Sequence, residues 1–196
     1  MEITEADGII HENFLKIVEA LELEKQSSFH SRTVFLDEAS RIILVVRSFQ
    51  PRLALKISCS GEKAPEFLKY ASIPGHIERI CEYMENMNAA LRSRCAEGVR
   101  FSDKAVDEVD FLFRGLKEIL LDTSGILVSK NPALAGDVKK AEVSFSESAR
   151  QFIVRHRERV AEGICLPKAA CLYFDLLDAF KAIAWHSKEI TQELLG

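Results

Sequence analysis

Apolar positions recur at three- and four-residue steps along nearly the whole chain. The clearest run lies between residues 64 and 95, where Ile73, Ile77, Ile80, Cys81, Met84, Met87, Leu91 and Cys95 share one face of an α-helix. Ile9, Ile10, Phe14, Ile17, Val18 and Leu21 predict an earlier helix over about 3–23, followed by a turn at Gln26-Ser27-Ser28. From Val34 to Cys59 two rhythms compete. Phe35, Ala39, Ile42, Val46, Phe49, Leu53 and Ile57 keep the helical step, whereas Leu53, Leu55, Ile57 and Cys59 alternate as a strand would. The helical period covers more residues, so this segment is expected to be a helix kinked at Pro51 and ended by Ser60-Gly61-Glu62-Lys63. The next helix is expected to start near Pro65 and to kink or restart at Pro74-Gly75, just before His76, with Gly98 closing the first half.

The same punctuation continues. Ser102 is a candidate N-cap for a helix carrying Val109, Leu112, Leu116, Ile119 and Leu120. Asn131-Pro132 marks a break, Gly163 ends a further helix, and Pro167 opens the last one, with Phe174, Leu177, Phe180 and Ile183 on its apolar face. Nine glycines and five prolines in 196 residues are few breakers, which favours an all-α chain.

A repeat is superimposed on this pattern. Setting Tyr70 on Tyr173 places Ile73 on Leu176, Ile77 on Phe180 and Ile80 on Ile183, an offset of 103. The chain therefore reads as two tandem three-helix bundles, residues 1–98 and 99–196. Glu78 and Glu82 lie one turn apart beside the apolar stripe of the third helix, where like charges repel unless something positive intervenes.

Charge and cysteine usage narrow the classes. A net charge of −4 gives no electrostatic reason to expect nucleic acid. Five cysteines without a Cys-x-x-Cys pair point to a reducing compartment, with neither a disulfide frame nor a zinc finger. No apolar run approaches the ~18 residues of a membrane span, and the acidic start Met-Glu-Ile-Thr-Glu is unlike a secretory signal. A soluble part of a larger membrane protein fits the same pattern.

The segment His76-Ile77-Glu78-Arg79-Ile80-Cys81-Glu82 resembles the acidic signature of the phosphate-uptake-regulator (PhoU) family, in which Glu or Asp precedes Asp by four positions on the third helix of each repeat. Glu78-Arg79-Ile80 matches as it stands, Glu82 stands where Asp is usual, and Cys81 replaces a usual Gly. In the second copy Lys181 and Trp185 occupy the two acidic positions, and a lysine and a tryptophan are no ligands for a hard cation. The resemblance implies a cytoplasmic regulator of phosphate transport or signalling, held near the inner face of the membrane by contact with a phosphate transporter or sensor kinase. A sodium–phosphate cotransporter-type protein carrying such a domain is included in that expectation.

The resemblance also implies a surface cation such as iron, zinc or magnesium at Glu78 and Glu82. His76 and Glu85 stand within a turn or so and are candidates to complete the shell. A hydrated acidic face balanced by Arg79 and other basic residues is the competing reading. Trp185 and His186 beside the altered pair, and Arg155, Arg157 and Arg159 on the densest basic run, are the candidate partner contacts. A buried tryptophan and a solvated helix end are the plainer readings of those residues. No Glu-x-x-His, His-Glu-x-x-His, phosphate-loop or Gly-x-Ser-x-Gly motif occurs, so no enzyme is expected. A metal-dependent enzyme or metal store on the same bundle, and a purely structural helical adaptor, are the alternatives. A homodimer suits long helices but is not written in the sequence.

Overall fold

A computed structural model describes residues 5–61 and 70–195, without the side chains of 59–61. Among these residues there are six α-helices and no strand: α1 (Glu5–His30), α2 (Thr33–Gly61), α3 (Ile73–Ala96), α4 (Asp103–Ser129), α5 (Pro132–Ala161) and α6 (Pro167–Leu195). The first three pack on one another, as do the last three, and α3·α6 and α1·α4 join the two groups. One apolar core runs through both, from Ile10, Phe14 and Ile17 to Phe180, Ile183 and Leu194.

The helical reading of 34–59 holds because one rhythm faces the core. Leu53 and Ile57 are buried four residues apart, whereas Leu55, the residue that made the strand pattern, is 66% exposed. Pro51 lies inside α2 without ending it, and has no N–H to offer the Arg47 carbonyl.

One expected boundary moves. The turn at Gln26-Ser27-Ser28 is helix instead: Ser27 and Ser28 are buried, and the Ser28 carbonyl accepts from Arg94 Nη1 of α3 at 2.6 Å. The chain turns at Ser31, whose left-handed φ of 51° and N–H bond to the Ser27 carbonyl (2.8 Å) close α1. Of the kink or restart expected at Pro74-Gly75, the restart is what is seen: α3 begins at Ile73, and Pro74 does not kink it. It stands in the first turn, where a missing N–H costs nothing, and the first bond runs from His76 N–H to the Ser72 carbonyl at 3.1 Å. The expected start at Pro65 lies outside the described residues.

The remaining punctuation is as expected. Ser102 caps α4 by accepting from Ala105 N–H, Gly98 and Gly163 take positive φ after α3 and α5, and Asn131-Pro132 opens α5. No helix among the described residues is long and apolar enough to cross a membrane.

Candidate functional site at the α3 surface

Glu78, Glu82 and Glu85 follow one another along α3 at four- and three-residue steps, so they share a face. That face meets α2, and α2 supplies a cation. Arg47 Nη2 donates to Glu78 Oε1 at 2.5 Å, and Arg47 Nη1 donates to both Glu85 oxygens at 2.9 Å. One guanidinium therefore bridges carboxylates two turns apart, and this pairing raises the Arg47 pKa further above its already high value. Glu82 is held separately by Arg79 of the same helix at 2.7 Å.

His76 belongs to a different face. Two residues before Glu78, it points away from the acidic ladder and toward α6. Its Nδ1 lies 2.8 Å from His186 Nδ1, and its Nε2 lies 3.5 Å from a Glu193 oxygen. The Trp185 ring completes the group, with its centroid 6.0 Å from that of His76 and 4.7 Å from that of His186. Burial, assisted by His76 and Arg79, pushes the His186 pKa down to about 4, so His186 is neutral near pH 7. The two candidate groups thus exchange a member: His76 leaves the carboxylates and joins Trp185 and His186.

Among the described residues no three His, Cys, Asp or Glu side chains converge on a point where a metal would sit. The carboxylates at Glu78 and Glu85 do not fit a cation as arranged, because a guanidinium already satisfies them. Cys81 beneath them is fully buried, and burial followed by the Glu78 charge pushes its thiol up to about 12, which makes it core rather than ligand.

The basic run also divides. Arg159 turns inward and forks onto Glu108 of α4, with N···O distances of 2.9 and 2.5 Å, and Tyr173 donates its hydroxyl to the same carboxylate at 2.7 Å. Arg157 lies 5.5 Å over the Phe174 ring, and Arg155 stays exposed on the outer face of α5. Trp185 is 44% exposed. With Arg150, Asp178 and Lys181 it borders an open groove of about 350 Å³.

Sequence reasoning missed Arg47 and Glu193. Nothing in one dimension links α2 to α3 at 47 and 78, or Ser72–His76 to the end of α6. Glu85 carried a signal, the seven-residue step from Glu78. So did His76, whose two-residue step placed it off the ladder.

These features define an all-α, PhoU-like six-helix fold with a guanidinium-closed acidic face. The crystal structure of PhoU from Pseudomonas aeruginosa is similar to this chain, with a TM-score of 0.68 and 13% identity, over 97% of this chain and 90% of that one. No protein-family model and no curated protein matches the sequence.

Proposed function

We propose that this chain is a cytoplasmic regulator of phosphate transport or signalling that works by docking onto a membrane phosphate transporter or its sensor kinase, without chemical turnover. The observation that carries the reading is the likeness to PhoU, which spans nearly the whole chain rather than one helical pair. We read the chain as two three-helix repeats, residues 1–98 and 99–196, seated at the inner face of the membrane through the partner. The candidate contact surface carries exposed Trp185 of α6 and exposed Arg155 of α5, while Arg157, two residues further on, lies over the Phe174 ring as a second candidate contact. Aromatic and arginine side chains suit such a role, since they dominate the energetics of interfaces. Modulation by a cation at Glu78 and Glu82 would require Arg47 to let go first.

The test is crosslinked pull-down of tagged chain from phosphate-starved and phosphate-fed cells, followed by mass spectrometry. Transporter or kinase components are expected in one condition more than the other, and fewer of them with Trp185→Ala combined with Arg155→Ala. Their absence under both conditions refutes the reading.

A further inference from the structure

We propose that His76 and His186 form an open site for a borderline divalent transition metal, zinc, nickel or copper, which clasps α3 to α6. The site is separate from the acidic ladder.

Two features of the pair support this. First, the two Nδ1 atoms face each other at 2.8 Å across the α3–α6 contact. Two imidazoles on one tetrahedral zinc, each about 2.0–2.1 Å from it, hold their nitrogens about 3.3 Å apart. The rings therefore need to open by about half an ångström, within reach of side-chain rotation on fixed helices. Second, the opposite nitrogen of His76 faces Glu193, and Glu193 is itself held by the Ser72 hydroxyl. A carboxylate on the far ring nitrogen is the arrangement that fixes the tautomer and orientation of a metal-binding histidine, and leaves Nδ1 with its lone pair free. Imidazole donors favour zinc, nickel and copper over magnesium or calcium. Both rings are partly open to solvent, so water can complete the shell.

The nearest competing reading is a plain hydrogen bond between the two rings. Trp185 separates the two, because it is the single tryptophan of the chain and its ring lies within 6.0 Å of both histidines. Chelator-treated full-length protein is titrated with nickel or copper while tryptophan fluorescence is followed, and with zinc by calorimetry. Saturable quenching at one metal per chain is expected, with a matching calorimetric stoichiometry and a metal-dependent rise in Tm. His186→Asn or His76→Asn should weaken binding at least tenfold, and Glu193→Gln by about tenfold through lost orientation. Glu78→Gln with Glu82→Gln should leave affinity unchanged. Absence of saturable quenching and heat in the unaltered protein overturns the proposal whatever the variants do. Binding that survives both histidine changes, or that follows Glu78 and Glu82, overturns it as well.

Discussion

Helices α3 and α6 are alike where they are buried and unlike where they are wet. At the 103-residue offset Tyr70 and Tyr173, Ile73 and Leu176, Ile77 and Phe180, Ile80 and Ile183, and Leu91 and Leu194 are all buried. On the surface, Glu78, Glu82 and Glu85 stand against Lys181, Trp185 and Lys188. The cross-helix cation shows what this does. Arg47 of α2 has Arg150 of α5 at the same offset, yet only Arg47 reaches across to the neighbouring helix. Arg150 lines one groove with Lys181 and Asp178 of α6, yet pairs with Glu147 of its own helix at 3.1 Å. Lys181 likewise turns to Asp178 on α6. Core packing tolerates few alternatives, so the interior pattern persists, while exposed pairs worth a few tenths of a kcal/mol can be rewired freely.

The deepest shared feature should give the largest effect when broken. Each tyrosine hands its hydroxyl to a buried carboxylate that also holds a cation. Tyr70 and Lys130 Nζ both donate to Asp7 (2.9 and 2.6 Å), and Tyr173 and Arg159 both donate to Glu108. Removing one partner of such a pair strands a charge. Glu108→Ala is expected to cost about 3 kcal/mol in urea unfolding, since both its side chain and that of Arg159 are largely covered. Asp7→Ala is expected to cost about 2 kcal/mol, because Lys130 is the more exposed cation. Lys130 caps α4, so the Asp7 change tests whether α1 is tied to the last three helices. Equal and small losses would show that the two clusters are decoration.

The two halves also differ in a buried acid without a firm partner. Glu24 of α1 is fully buried, and neither of its oxygens meets a hydrogen-bond donor among the described residues. Burial raises its pKa well above the usual value, and the Asn88 amide, committed to the Leu36 carbonyl at 2.9 Å, opposes the shift only in part. Folding therefore takes up a proton once the pH exceeds the ordinary glutamic acid value of about 4.3. The contribution is favourable below that point and is lost as pH rises through the folded value. Glu24→Gln should be neutral at pH 4 and increasingly stabilising as pH rises above about 4.3, by up to about 1.4 kcal/mol per unit until the folded value is passed, and constant beyond it. Parallel stability–pH curves for the two proteins would contradict the assignment.

Much of the fold was legible because helical periodicity and caps are local. The strand-like alternation after Leu53 gave way to the longer helical period, and solvent accommodates Leu55. The turn after α1 was misplaced because serines ordinarily signal loops, whereas Ser28 is buried beneath Arg94, a partner 66 residues away. The site was half legible. Glu78 and Glu82 announce a shared face, but whether that face awaits a cation depends on Arg47 from another helix. The meeting of His76 with His186 depends on the α3–α6 crossing. Such tertiary pairings leave no trace in spacing.

The smallest effects test the surface comparison directly. Arg47→Ala leaves two half-exposed carboxylates facing each other, and is expected to cost about 1 kcal/mol, less at high salt. Lys181→Glu is the reciprocal change: it offers Arg150 a carboxylate where Arg47 has Glu78, and gives up the contact with Asp178, which is 67% exposed. Those terms nearly cancel, so the net change should stay within about 0.5 kcal/mol. The informative quantity is the coupling. A double-mutant cycle of Arg150→Ala and Lys181→Glu should return about 0.5 kcal/mol of attraction, approaching that of the Arg47–Glu78 cycle. If it does, one surface residue accounts for the different wiring of the two halves. If Arg150 stays with Glu147 and the coupling is zero, the α2 and α5 backbones set the reach of their arginines, and the resemblance between the halves ends at the core.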